Sequence, residues 1–298
     1  MNERMLAQPT SCRNADEMRQ LLKSFGPYAG RYLMAYPVNW RSLVLEHFSQ
    51  AKPLEQERVK ALLRRAKEDV QVIASGAMHY HEGKGWLENA LTLLKALPPM
   101  ARAAVVAPPA PEGEPLVHTI DSLDLPPTAD ERVDATPGEI ARVCRVLLSA
   151  SREVFFVDPY LNPRREYHWD VLVPLLKIAA AANCRKVVIW ARHSLVVDVR
   201  YSEGDVTRAL AEARIASALP GACTLEMILV CDESSNDKMH GRYMLSVKGG
   251  VRIDQGFQRL PKGRKVDVSP VGAGLLVSLL SVYKDGQHDM KVVKHLTG

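Results

Sequence analysis

Aromatic residues are scarce, at 6% of the 298 residues. A base-stacking platform for single strands has little to be built from. The five cysteines, Cys12, Cys144, Cys184, Cys223 and Cys231, are odd in number and widely spaced, and no C-x-x-C pair occurs. A disulfide framework is therefore not expected; most sit in apolar runs, as buried free thiols in a reducing compartment do. The first residues, MNERMLAQPTSC, lack the apolar core of a signal peptide. Apolar segments such as "VLVPLLKIAAAA" fall short of the roughly 20 residues that span a bilayer. A soluble cytoplasmic protein is the simplest expectation. Charge is nearly balanced at +5, with a pI near 8.9. That permits an anionic partner without identifying one.

What is present is an ordinary globular composition, 47% hydrophobic and 24% charged, long enough for one large domain or two smaller ones. Composition shifts most sharply over residues 107–139, where prolines at 108, 109, 111, 115, 126, 127 and 137 rule out continuous helix. Within that stretch "LVHTIDSL" alternates like a short strand. Three parts are expected: a helix-rich α/β accessory domain over 1–104, a Pro-rich connector over 105–136, and a second domain over 137–298.

In the first part "ADEMRQLLKSF", "NWRSLVLEHF", "LEQERVKALLRRAKED" and "GWLENALTLLKAL" have helical spacing, with Asn39 as an N-cap. "VQVIAS" and "AAVVAP" are short β-branched runs. In the last part Thr136-Pro137-Gly138-Glu139 forms a capping box with proline at the first helical position, predicting a helix to about Ala150. Strands "VFFVDPYL", "KVVIWARH" and "TLEMILVCDE" then alternate with the helices "WDVLVPLLKIAAAAN" and "VTRALAEARIASAL". This is the pattern of an α/β fold with a largely parallel sheet and helices on both faces. After Met239 the chain reads as a hairpin, "GRYMLSV" and "VRIDQGF", turning through Lys248-Gly249-Gly250.

Parallel sheets gather ligands at the carboxyl ends of their strands. Those ends carry Asp158 with Tyr160, Arg192 with His193, and the stretch from Asp232 to His240. Asp158 also reads as a turn residue before proline, and Arg192 and His193 as surface residues. His240-Gly241-Arg242 is the sharpest element: histidine suits nucleophilic or acid–base work near neutral pH, and arginine clamps phosphate oxygens. On a strand both would face the same side. "RLPKGRK" adds Arg259, Lys262, Arg264 and Lys265, a cluster that attracts polyphosphates or is simply a solvated loop. His79-Tyr80-His81-Glu82 lacks a third placed metal ligand, and Ser75 lacks the frame of a nucleophile elbow. The acids Asp232, Glu233 and Asp237 read as a solvated connection. No metal or other cofactor is expected.

Over roughly residues 137–285, about half the chain, the strands together with "HGRYMLSVKGGVRIDQGF" resemble a phospholipase D-superfamily domain. In active members of that family the motif is H-x-K-x4-D followed by a Gly-Ser or Gly-Gly turn. Two copies build one site, with one histidine attacking phosphorus and the other protonating the leaving group. The resemblance implies His240 as nucleophile and Arg242 in place of the lysine. Gly249 and Gly250 match the turn. Val247 stands where the aspartate is expected, with Ser246 or Asp254 as partial substitutes. Arg242, Gly250, Asp254, Asp158 and Tyr160 are the implied phosphate-binding residues. No second H-x-K or H-x-R occurs, so a complete catalytic site requires a homodimer.

The H-x-R-Y form with a later Gly-Phe is more similar to a divergent branch. That branch includes the C-terminal domain of an MIT-domain protein, which binds rather than cleaves, and uncharacterised bacterial proteins encoded near defence and mobile-element genes. The implied function is phosphodiester recognition, nucleic acid first, within a defence or mobile-element complex. A non-catalytic assembly or dimerisation module, a metal-independent homodimeric nuclease, and binding of anionic lipid headgroups stand as alternatives.

Overall fold

The computed structural model describes residues 3–75, 78–97, 99–125, 130–182 and 184–298. Pro126 and Pro127 of the expected connector, and Asn183 at the end of one expected helix, lie outside the described residues. The chain divides into two compact units, Asn2–Thr128 and Ala129–Gly298. Both are α/β, as the alternating pattern predicts.

The N-terminal unit runs β1 (Glu3–Ala7), α1 (Ala15–Lys23), β2 (Arg31–Ala35), α2 (Trp40–His47), α3 (Pro53–Glu68), β3 (Val72–Ala74), α4 (Trp86–Leu94), β4 (Ala103–Val105) and β5 (Val117–His118). Its sheet is entirely parallel, in the order β3-β2-β1-β4-β5. That order reverses direction between β1 and β4, as in doubly wound folds. Trp40, fully buried, donates its indole N–H to the Ala7 carbonyl at 2.7 Å and fixes α2 against β1. β1 and β2 were not expected from the sequence: each is a five-residue run with an arginine in it, too short for a clear period. Asn39 occupies the position before α2 but makes no capping bond through its side chain.

The C-terminal unit runs β6 (Glu131–Asp134), α5 (Pro137–Ala150), β7 (Glu153–Val157), α6 (Glu166–Ala181), β8 (Lys186–Arg192), α7 (His193–Val196), α8 (Glu203–Ala216), β9 (Thr224–Cys231), β10 (Tyr243–Ser246), β11 (Gly249–Ile253), β12 (Lys265–Pro270), α9 (Ala273–Tyr283) and β13 (Lys291–Thr297). Thr136 caps α5, accepting from the Glu139 N–H at 3.3 Å. The sheet has the order β13-β9-β8-β7-β10-β11-β12-β6. Its parallel part is limited to β7, β8 and β9, the three strands read from the sequence; every other pairing is antiparallel. A largely parallel C-terminal sheet is thus corrected to a mixed one. The added strands "ERVD", "KVDVSP" and "KVVKHLT" are edge-proximal and rich in polar residues, and carry too little apolar signal to be read alone.

The stretch 105–136 is shared between the units, with β5 at the edge of the first sheet and β6 at the edge of the second. Phe155, Val157, Val188, Trp190, Val230 and Leu245 point to one face of the larger sheet, where Leu276 and Tyr283 of α9 cover them. Alternate residues face the layer of α5, α6 and α8. Among the described residues no helix is long and apolar enough to cross a membrane.

Candidate functional site

The carboxyl ends of β7, β8 and β9 lie side by side, so the three polar strand ends converge. The loop after β7 is braced by two buried polar residues, Asp158 and Asn162, each no more than 1% exposed. Asp158 Oδ1 accepts the Tyr160 N–H at 3.0 Å, and its Oδ2 accepts the Phe257 N–H at 3.0 Å. Asn162 donates to the Val196 carbonyl at 2.9 Å, and its own N–H donates to His168 Nδ1 at 3.1 Å. Tyr160 is therefore presented at 47% exposure on a fixed loop.

His168 gives that loop a pH dependence. Burial pushes its imidazole down to about 4, and Arg165 acts in the same direction. An N–H can donate to Nδ1 only while that nitrogen carries no proton. Between about pH 6.5 and 4 the unfolded chain binds a proton that the folded chain does not, so stability falls as pH falls through that window. The total is about 3 kcal/mol. His168→Asn keeps an acceptor and loses the titration: in urea unfolding, the stability advantage of wild type over the variant is expected to shrink steadily from pH 7 to 4.5. A constant difference would contradict the assignment.

Arg242 lies against Asp158. Its Nε is 3.9 Å from Asp158 Oδ1, its Nη1 donates to the Asp254 carbonyl at 2.6 Å, and its guanidinium carbon sits 5.2 Å from the centre of the Tyr160 ring. Burial pushes the Asp158 carboxyl above the usual carboxylate range, against the two N–H donors and Arg242, which favour its charged form. Gly256 makes this arrangement possible. Its φ is +75°, and a β-carbon there would run into Asp158 Oδ2 and Arg242 Cδ. Next to it the Phe257 ring packs edge-on against Phe156, 5.1 Å between centres. The Gly-Phe pair noted in the sequence thus receives the carboxylate of β7.

A second pair lies one strand further on. Asp232, 2% exposed, accepts from Arg192 Nη2 at 2.7 Å and from the Met239 N–H at 2.8 Å. Although burial opposes it, the Arg192 guanidinium and that N–H hold Asp232 below its ordinary range. Asp289 accepts from the Ser235 hydroxyl and from the Asn236 and Asp237 N–H groups. The Asp232–Asp237 stretch is therefore a fastened loop, not the solvated connection expected of it.

His240 falls between these two clamps. Met239 is buried and tied to Asp232 and Arg192; Arg242 is tied to Asp158 and Asp254; His240 itself is exposed. Gly241 is compact for a reason: a β-carbon there would meet the Tyr243 ring. The expectation that His240 and Arg242 share one face of a strand is corrected, since β10 begins only at Tyr243. The hairpin turns at Val247-Lys248 rather than through the glycines, which lie in β11. Val247 is 52% exposed at that turn. Ser246 is buried, accepting from Lys248 N–H and donating to the Gly249 carbonyl, so it is committed to the turn. Gly250 is buried where a β-carbon would press on Val271 and Leu245, and so serves packing between strands. Asp254 contributes its carbonyl, not its carboxylate, to Arg242.

The basic cluster divides. Arg259 is bound to Asp170 at 2.7 Å and Glu166 at 3.3 Å, fastening its loop to α6. Lys262, Arg264 and Lys265 are exposed and form no ion pair among the described residues. In the N-terminal unit the crevice between β1 and β4 is filled from within: Gln8 Oε1 accepts the Ala107 N–H at 3.2 Å, and its N–H donates to Val105. The first turn of α1 is capped by Asn14 and Glu55 and carries Asp16 and Glu17. A nucleotide phosphate there would meet carboxylates. No group of three or more His, Cys, Asp or Glu among the described residues is placed to hold a metal ion.

No family model matches the chain. No curated protein matches it. Among solved structures, a similarity at TM-score 0.32 and 10% identity covers 86% of this chain and 82% of the other, which is described as TrmBL2, an archaeal chromatin protein showing a novel mode of DNA binding. A likeness of that size carries no argument about this chain, whose function has to come from its own residues.

Proposed function

We propose that the C-terminal unit is a divergent phospholipase D-like module that recognises phosphodiesters, nucleic acid first, at the edge carrying His240 and Arg242. The observation that supports this most is the exposed His240, on a segment pinned at both ends by an arginine held on a buried carboxylate. Such bracing fixes a backbone path and leaves the imidazole and part of the guanidinium open to solvent. Arg242 is the phosphate clamp and His240 its neighbouring hydrogen-bonding group. Recognition is favoured over cleavage because Val247 occupies an exposed turn and the chain holds a single H-x-R motif.

Fluorescence anisotropy with labelled oligonucleotides at low salt tests this. Binding is expected, and Arg242→Gln, checked for folding by circular dichroism, should weaken it about tenfold or more. Neutralising Lys262, Arg264 and Lys265 together should flatten the salt slope by up to about 2 if all three meet phosphates of a single strand. No binding at low salt, or full binding by folded Arg242→Gln, would sink the reading. Chelator-resistant cleavage lost in His240→Ala would instead extend it to catalysis.

A further inference from the structure

Arg192 has no part in the phosphate clamp described above, yet like Arg242 it lies against a buried carboxylate at the same sheet edge. We propose that Arg192 is a second phosphate-binding arm, so that the edge takes two phosphates of one single-stranded polynucleotide with a base against Tyr160 between them. This rests on the phosphodiester reading and deepens it.

Arg192 donates to the buried Asp232 carboxylate at 2.7 Å, whereas Arg242 lies 3.9 Å from that of buried Asp158, and each donates to a main-chain carbonyl, Met239 for Arg192 and Asp254 for Arg242. Those bonds use only part of the five donors of a guanidinium and fix its orientation. Both side chains remain about a quarter exposed, 25% for Arg242 and 23% for Arg192. Arg192 lines a hollow of about 80 Å³ together with Ser194, Cys231, Asp232 and Glu233, and the first of these carboxylates is already paired with Arg192 itself. A phosphate oxygen at its mouth would accept from the guanidinium N–H groups that Asp232 and the Met239 carbonyl leave free.

The spacing points to a chain, not a lone anion. Arg242 precedes β10 and Arg192 ends β8, with β7 between them. Two strand spacings separate their strands by about 10 Å. Tyr160 follows β7, the strand between them, and its ring lies beside Arg242. An exposed ring on the strand end between the two arginine-bearing strands can use an unstacked base; a duplex keeps its bases stacked and offers phosphates alone. Because buried Asp158 and Asp232 offset both cations, attraction at long range is small. Contact geometry then decides affinity.

The test is anisotropy with a short fluorescein-labelled oligothymidylate, a duplex of matched length and phosphatidylserine vesicles. Arg192→Gln is expected to weaken single-strand binding about tenfold and to lower the salt slope by about 0.7. Tyr160→Leu should weaken it by roughly tenfold as well. Since Arg192→Gln leaves Asp232 buried without its cation, the double variant Arg192→Gln/Asp232→Asn is measured beside it, with folding verified by circular dichroism. Wild-type affinity in a folded Arg192 variant, alongside impaired Arg242→Gln, overturns the second arm and leaves the single clamp standing. Wild-type affinity in both arginine variants removes the phosphodiester reading itself. Tighter binding of the duplex or of vesicles overturns the single-strand assignment.

Discussion

Replacing Gly256 with alanine is expected to destabilise the protein by about 3 kcal/mol or more, against about 1 kcal/mol for the same change at Gly263. Both glycines have positive φ, +75° and +83°, and an L-residue pays about 1–2 kcal/mol for that conformation. The difference lies in what surrounds them. A β-carbon at 263 meets open space, whereas one at 256 meets the Asp158 carboxylate and the Arg242 side chain. Making room adds roughly 1–3 kcal/mol of overpacking, and Asp158 must also loosen its bond to the Phe257 N–H. Urea unfolding of the two variants in parallel gives the comparison. Equal costs would show that Asp158 is not seated against Gly256.

Asp158→Ala should cost about 3–5 kcal/mol, the range found when one partner of a buried ion pair is removed. It strands the N–H groups of Tyr160 and Phe257 as well as the Arg242 guanidinium. Glu166→Ala is the contrast: Glu166 also pairs with an arginine, but its side chain is 81% exposed, so the loss should stay within about 0.5 kcal/mol. The larger variant should lose phosphate binding even under conditions where it remains folded, because Arg242 has lost its anchor. A cost below about 1 kcal/mol for Asp158→Ala would contradict the bracing described for this edge.

The parallel core of the C-terminal sheet was legible because β7, β8 and β9 are continuous β-branched and aromatic runs, interrupted by capped helices. Their convergence at Asp158, Arg192 and Asp232 followed from that reading. What the sequence hid was pairing. Nothing local in Asp158-Pro159-Tyr160 announces a bond to Phe257, 99 residues away, and a turn residue before proline is the stronger local account of it. Arg192 and Asp232 suffered the same way: each looks like a surface charge until the strands are neighbours. The hairpin was displaced by one position because double glycine is a stronger turn signal than Val-Lys, whereas here Gly250 is needed for close packing against Val271 and Leu245. β1 and β2 carry no readable signal, since five-residue strands buried in a parallel sheet show no alternation.

One titration addresses phosphate recognition at this edge most directly. In protein selectively labelled at histidine, arginine and lysine, NMR spectra are recorded as a thymidine dinucleotide is added at low salt. The His240 imidazole and the Arg242 guanidinium signals are expected to shift together and to saturate with one affinity. If they stay in place while only Lys262, Arg264 and Lys265 move, contact is made at the basic turn and the edge beside His240 is not the site.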